Sequence, residues 1–390
     1  MPIHNRIAEF RADMAAWRQD IHAHPEIRYE EHRTAAKVAE LLASWGIEVH
    51  TGIAKTGLVG VLRGNGKGTG SIGIRADMDA LPMAEEGNPA YKSTNAHAMH
   101  ACGHDGHTTM LLGAARYLAE TRNFDGTVHF IFQPAEEGGA GARLMVEEGL
   151  FERFPCDTVW GMHNAPHMPA GTIAVKAGPL LASADTAFMT VKGRGGHAAR
   201  PHDTIDPVAV GVQLYNGLQT IVARNMDPGK SAVVSVTNFH AGSATNVIPA
   251  SAKLAASIRT FDPEVREMIE GRVRQLCKGV AEMHGCEVEL DYKHGYPATI
   301  NPEHTIPIAA QVATEVVGAD RVNLNPPSSM GSEDFSFMLQ ARPGAFLWIG
   351  QGAPGHDHGL HHPMYDFNDE VLDIGASFWA RLVETQLPRR

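Results

Sequence analysis

Three short apolar runs in this chain each end in residues that bind protons or metals. Residues 71–75 lead into Ala76-Asp77-Met78-Asp79, 128–132 into Gln133-Pro134-Ala135-Glu136-Glu137, and 158–162 into His163-Asn164. Open α/β sheets gather functional groups at the carboxyl ends of their strands, so three such endings point to one constructed site. Between the first two lies His100-Ala101-Cys102-Gly103-His104-Asp105-Gly106-His107, where a thiol and an imidazole stand two residues apart. Both suit zinc and related divalent ions. A structural zinc knuckle needs a second cysteine at close spacing, and Cys156, Cys277 and Cys286 do not supply it. A solvated histidine-rich loop is the plainer alternative.

Glu136 and Glu137 are adjacent just past a strand pattern, where the chain can turn both toward one place. One carboxylate can then ligate a metal while the other acts as general base. The alternative is a solvated pair at a helix start, where the dipole favours acids. Near the C-terminus Gly359-Leu360-His361-His362-Pro363 offers two imidazoles, either of which can complete a metal sphere. Glu333-Asp334 can brace such a site from behind, or belong to a helix start capped by Ser332. The chain has 22 histidines, clustered at 22/24, 97–107, 163/167, 197/202 and 356–362. Such clustering near Cys, Asp and Glu is usual for a metal site, although many of these histidines are expected simply on the surface.

A further set lies mid-chain. The glycine-rich Gly193-Arg194-Gly195-Gly196-His197 turn exposes His197, Asn246 sits in Thr245-Asn246-Val247-Ile248-Pro249, and Arg259 ends a strand pattern. An imidazole, an amide and a guanidinium can polarise a carbonyl and hold a carboxylate, although each alone reads as a surface polar residue. Gly68-Thr69-Gly70-Ser71-Ile72-Gly73 spells GxGxxG but precedes a strand instead of opening a helix, so it reads as a turn. There is no GxSxG elbow, Walker P-loop or HExxH.

The elements that must position these groups follow from periodicity. Residues 3–24 have a helical period stopped by Pro25, and 31–46 form a second helix. The runs 58–62, 71–75, 128–132, 158–162 and 345–349 read as buried strands, with helices at 108–120 and 141–148. That alternation predicts an α/β domain with a largely parallel sheet. The pattern then changes to strand 185–192, helix 206–224, strands 232–239 and 253–261, helix 263–284 and strand 287–292. This is the β-α-β-β-α-β order of a ferredoxin-like motif. The expected organisation is a catalytic domain from 1–183 and 295–390, interrupted by an inserted domain at 184–294. A length of 390 residues fits two domains.

Composition narrows the class. Apolar residues make up 43% and charged residues 20%, ordinary for a globular protein. A net charge of -11 without a basic cluster argues against a nucleic-acid partner. No run approaches a membrane span, and the charged N-terminus does not read as a secretory signal. Four cysteines are too few for a disulfide scaffold, so a reduced cytoplasmic setting is expected.

Taken in order, Ile21-His22-Ala23-His24-Pro25-Glu26, Arg75 to Pro82, Met99 to His107, Gln133 to Gly138, Gly195 to Pro201, Thr245 to Pro249 and Gly331-Ser332-Glu333-Asp334-Phe335 span nearly the whole chain. Together they resemble the M20 metallopeptidase family, in particular its amidohydrolase branch of hippurate hydrolases, N-acyl-L-amino-acid amidohydrolases and auxin-conjugate hydrolases. The resemblance implies a zinc-peptidase-like α/β catalytic domain and a ferredoxin-like lid that also dimerises, giving a homodimer or homotetramer. It implies two divalent ions (zinc, manganese, nickel or cobalt) held by Cys102, His104, Glu137, His163 and His361. The family's Leu-His-x-Pro pattern selects His361 over His362. Glu136 matches the general base and Asp79 the residue that orients the metal site. His197 would act on the oxyanion and substrate from the partner subunit, and Asn246 and Arg259 would bind the substrate carboxylate. Aminopeptidase relatives carry His-x-Asp where this chain has Asp77-Met78-Asp79; Cys102 with His104 takes the ligand role instead.

The implied activity is hydrolysis of N-acyl-L-amino acids of the hippurate type, a small-molecule substrate. N-acetyl-diaminopimelate deacetylase, auxin-conjugate hydrolase and aminopeptidase activities are the enzymatic alternatives. A non-catalytic metal- or ligand-binding protein on the same scaffold is the alternative from another class. Such a protein has no need of Glu136 beside Glu137.

Overall fold

The structure, a computed structural model, describes residues 2–389 and divides into two compact units. The first comprises the chain up to Gly178, Ile300–Pro327 and the residues from Asp334 on; the second comprises Pro179–Thr299 and Ser328–Glu333.

The first unit is built on an eight-stranded mixed sheet. Its order is Glu48–Ile53, Gly57–Arg63, Thr127–Gln133, Ser71–Asp77, Thr158–Pro169, Gly344–Gly352, Ile173–Ala174 and Val322–Asn323. The middle is parallel, with Arg75 level with Ile131 on one side and Gly161 on the other. Residues that follow these positions therefore emerge at one edge. The central strands are buried almost throughout, as continuous apolar runs require. Helices Arg11–Ala23, His104–Thr121 and Leu372–Gln386 pack on one another and bury Met14, Met110, Leu118, Phe378 and Trp379.

Several elements depart from the sequence expectation. The N-terminal helical stretch is two helices, Pro2–Ala8 and Arg11–Ala23, because the chain turns at Phe10 to sink that ring into the core. Glu48–Ile53 has no apolar run to announce it; it is an edge strand whose one buried residue is Ile53. The third parallel strand continues to Pro169, so His163 and Asn164 lie within it and not after it. The helix after the Cys-Gly-His motif begins at His104, four residues early. Gly103, at φ +93, makes the turn that starts it.

The second unit is a four-stranded antiparallel sheet in the order Ala232–Ala241, Ser251–Thr260, Ser183–Lys192 and Glu287–His294. Helices Pro207–Thr220 and Pro263–His284 pack with it around Met189, Val191, Leu214, Leu254, Ile258, Ile269 and Val273. Asp206 and Asp262 cap these helices, each followed by proline at the first helical position. This is the ferredoxin-like order. The helix expected to reach 224 ends at Thr220 and passes into a π turn over Ile221–Asn225. Among the described residues no helix is long and apolar enough to cross a membrane.

One buried ion network in the first unit joins segments far apart in sequence. Arg18 is fully buried and reaches Asp369 at 2.7 and 3.0 Å, Asp366 at 3.2 Å and Asp105 at 3.6 Å. One turn later, His22 places Nδ1 2.9 Å from Asp105 and Nε2 3.2 Å from Glu85. Burial opposes the imidazolium, but Asp105 and Glu85 outweigh it and carry the His22 pKa up to about 9. A folded pKa above the ordinary 6.5 means that this stabilisation is complete below pH 6.5 and is lost as the pH rises through about 9. Its size is on the order of 3 kcal/mol. His22→Gln should therefore flatten the stability-versus-pH curve across that window. Urea unfolding of both proteins measures it, and an unchanged curve would remove His22 from the alkaline transition.

Candidate metal centre

The carboxylate pair sits on a strained turn. Just past Thr127–Gln133 the chain places Ala135 at φ 55, Gly138 at φ 77 and Ala140 at φ 55. Two of these are not glycine, and each left-handed alanine costs on the order of 1 kcal/mol, so the turn must be held from outside. Asp79 does much of this. Its Oδ1 accepts the Glu136 amide at 3.0 Å and its Oδ2 the Glu137 amide at 2.9 Å.

The same aspartate orients His104, the first residue of its helix. His104 Nδ1 lies 2.8 Å from the Asp79 carbonyl oxygen and 3.3 Å from Oδ1. A proton on Nδ1 leaves the lone pair on Nε2, which is buried without a hydrogen-bond partner. His163 is set likewise: Nδ1 donates to the Asn164 carbonyl at 2.8 Å, and Nε2 faces Cys102 Sγ at 3.4 Å. His361, at φ 63, is pinned by its amide to the Ala101 carbonyl at 2.8 Å. Its Nε2 lies 3.1 Å from Glu137 Oε1, yet that buried oxygen makes no aligned hydrogen bond.

These donors fall into overlapping groups. The ligand atoms of Cys102, His104 and His163 lie within 4.8 Å of one another, as do those of Cys102, Glu137 and His361, and those of His104, Glu136 and Glu137. Cys102 links the first two groups and His104 links the first to the third. The structure thus brings together all five ligand candidates, with Glu136 beside them and Asp79 behind.

Electrostatics ask for a cation in this place. Burial, then Glu137, Glu136 and Asp77, push the Cys102 thiol well above its ordinary pKa, so a thiolate needs a compensating positive charge. Burial and His107 hold His163 well below its ordinary value, the neutral state that ligates. Burial opposes protonation of His104, but Asp77 and Asp79 raise its pKa to about 10. A sulfur, imidazoles and carboxylates around two orphaned donor atoms fit divalent ions of the zinc type.

Sequence reading gave no supporting role to Asp77 or His107 in the scaffold behind these groups, though it did expect Asp334 there. Asp77 accepts Arg75 Nη1 at 2.9 Å and lies 2.6 Å from His107 Nδ1. His107 Nε2 in turn lies 2.7 Å from Asn164 Oδ1. Asp77, His104 and His107 form another donor group, in which Asp77 and His107 also hold each other. The i,i+3 spacing of His104 and His107 on one helix was the available signal. Asp334 accepts Gln133 Nε2 at 2.8 Å, Arg75 Nη2 at 3.1 Å and the Ala142 amide at 2.9 Å. Ser332 is no helix cap: the helix starts at Ser336, and Ser332 Oγ accepts Arg259 Nη1 at 3.0 Å. A Cβ on Gly103 would come within 2.5 Å of Asn164 Oδ1 and 2.6 Å of the Tyr365 hydroxyl, so only glycine fits.

The remaining candidates belong to the second unit. His197 and Asn246 share one two-stranded ribbon. His197 pairs with Val247, and the Ala198 amide donates to the Asn246 carbonyl at 3.0 Å. The His197 ring is exposed, and its Nδ1 accepts the Ala199 amide at 3.1 Å. Arg259 lies apart from that ribbon on the four-stranded sheet, level with Ala184 and Val233.

Comparison with known proteins agrees with the geometry. The chain is 42% identical to a hippurate hydrolase of Campylobacter jejuni, over 96% of this chain and 97% of that one. It is 38% identical to an N-acetylcysteine deacetylase of Bacillus subtilis, over 96% of each. A solved Bacillus subtilis structure, described as a dinuclear metal-binding peptidase of the M20 family, superposes with a TM-score of 0.84 at 34% identity, over 97% of this chain and 99% of that one. The sequence profile of peptidase family M20/M25/M40 matches residues 73–385. Fold, donor groups and sequence agree, and the chain belongs to peptidase family M20/M25/M40.

Proposed function

We propose that this protein is a metal-dependent amidohydrolase that splits N-acyl-L-amino acids of the hippurate type into a carboxylic acid and a free amino acid. The observation that carries the reading is the adjacent carboxylate pair fixed by Asp79. Glu137 groups with Cys102 and His361, while its neighbour Glu136 is held beside His104. A binding protein needs the first carboxylate but not the second. The hippurate hydrolase of Campylobacter jejuni and the N-acetylcysteine deacetylase of Bacillus subtilis support an N-acyl amino acid as the substrate class.

Cys102, His104, Glu137, His163 and His361 would hold two divalent ions, drawn from zinc, manganese, nickel or cobalt. Bound there, the ions would supply Lewis acidity to the scissile carbonyl and lower the pKa of the attacking water. Glu136 takes the proton from that water and delivers it to the departing nitrogen. Asp79 keeps Glu136 and His104 in place. His197 donates to the oxygen that gains charge, and Asn246 and Arg259 hold the amino acid's carboxylate. A reduced cytoplasmic setting suits a ligating thiolate.

The second unit also fits self-association. Val208, Val212 and Tyr215 are 36%, 46% and 39% exposed and lie at i, i+4 and i+7 on one face of helix Pro207–Thr220. The strand Ala232–Ala241, which touches that helix, is at the sheet edge. An exposed apolar stripe beside an open edge suits a second copy of the chain, with His197 acting from the partner subunit.

Hydrolysis should disappear on chelation and return on adding ions to the stripped protein, assayed over benzoyl- and acetyl-amino acids. Inactivity across that panel with both ions bound would favour the binding-protein reading. Glu136→Gln should keep both ions by metal analysis and lose about 10²–10⁴-fold in kcat; normal turnover would take the base role from Glu136. Val212→Asp should shift the protein to monomer in light scattering, whereas an unchanged mass would place the contact elsewhere.

A further inference from the structure

The strained turn that carries Glu136 and Glu137 has a second holder besides Asp79. Glu31 is fully buried. Its Oε1 accepts the Ala135 amide at 2.9 Å, which is the left-handed residue just before the carboxylate pair, and the Tyr29 amide at 3.0 Å. Its Oε2 accepts the Thr56 hydroxyl. The two residues behind Glu31 in the same segment grip the rest of the turn. Arg28 Nη1 donates to the Glu137 carbonyl at 3.1 Å, and the Tyr29 hydroxyl donates to the Gly139 carbonyl at 2.7 Å.

The segment is itself rigidly placed. Ile27 forms a parallel bridge with Ala80, next to Asp79, and the Ala80 amide donates to the Glu26 carbonyl at 2.8 Å. The Glu26 carboxylate accepts the Arg33 and Thr34 amides at 2.9 and 2.8 Å, fixing the start of helix His32–Ser44. Tyr29 is itself left-handed at φ 64, a conformation that a tyrosine keeps only where its surroundings impose it. Residues 26–31 thus bridge the Asp79–Ala80 loop to the Ala135–Gly139 turn.

We infer that residues 26–31 are a positioning clamp for the carboxylate pair, with Glu31 as the residue that fixes the turn and Tyr29 and Arg28 as its outer grips. Glu31 touches neither ions nor substrate; it acts through the backbone of Ala135. Small displacements of reacting groups cost large factors in rate, and supports of metal ligands commonly change metal affinity about 10–100-fold. Burial, together with nearby Asp79, pushes the Glu31 carboxyl up to about 7, so its value here lies in accepting the two amides and not in its charge.

This inference rests on the metal-hydrolase reading, and the test separates the two. The metal-stripped full chain is titrated with Mn²⁺ by calorimetry, and kcat and KM are measured on benzoylglycine at saturating Mn²⁺. Glu31→Ala should weaken the binding of an ion about tenfold and lower kcat about 10–100-fold, with KM within about twofold of the parent. Glu31→Gln keeps an acceptor oxygen for Ala135 and should restore most of both. Tyr29→Phe, which deletes only the grip on Gly139, should weaken the ion several-fold and serves also where Glu31→Ala does not fold. Parent-like affinity and kcat in Glu31→Ala, or in Tyr29→Phe where it stands in, would overturn the clamp. A parent chain that binds no divalent ion would overturn the functional reading instead.

Discussion

One carboxylate, that of Asp79, is the constraint on which the candidate centre depends. Its two oxygens take consecutive backbone amides, those of Glu136 and Glu137, and its first oxygen and its own carbonyl face His104 Nδ1. A single residue therefore fixes the direction of two acids and the tautomer of one imidazole. The bonds are worth more than their number because the turn they hold is unfavourable by itself. A charged acceptor makes shorter and stronger bonds to amides than a neutral one, which suits the task of holding strain.

The second constraint is charge. Asp77, Asp79, Glu136 and Glu137 are gathered with a thiol in a largely buried region, where Arg75 pairs with Asp77 and Asp334. Buried like charges are tolerated only where positive charge is brought in. The raised pKa values of Cys102 and His104 and the unpartnered His104 Nε2 express the same need from the donors' side. This coherence is the physical case for divalent ions as the group's cofactor, independent of any likeness to relatives.

How much of this could be read from the sequence depends on the range of the interaction. The apolar runs ending near Asp77, Gln133 and His163 announced three parallel strands, because burial on both faces leaves a local mark. The β-α-β-β-α-β order of the second unit was equally visible, helped by Asp206-Pro207 and Asp262-Pro263. Glu48–Ile53 was invisible because an edge strand with a single buried residue carries no apolar signature. The continuation of the third strand past His163 was missed because His163, Asn164 and His167 break the apolar run while the ladder to Gly344–Gly352 holds the backbone straight. The hub at Arg18 and the grip of Glu31 on Ala135 left no pattern at all. Each joins residues a hundred or more positions apart through single side-chain geometry, which no window along the chain can register.

The place of strand Gly344–Gly352 has a consequence for how the molecule is made. It lies between Thr158–Pro169 and Ile173–Ala174, well inside the sheet, yet it is made only after about 170 further residues have followed them. Arg18, too, waits for Asp366 and Asp369. During translation the first unit must persist with a gap in its sheet and two open strand edges, while the later-born insert, having a core of its own, closes before its host does. Nascent chains of this kind are exposed to mispairing at those edges for the time needed to add about 170 residues, at about 5–20 residues per second. The order of birth, and not the final stability, then sets when this protein is most vulnerable.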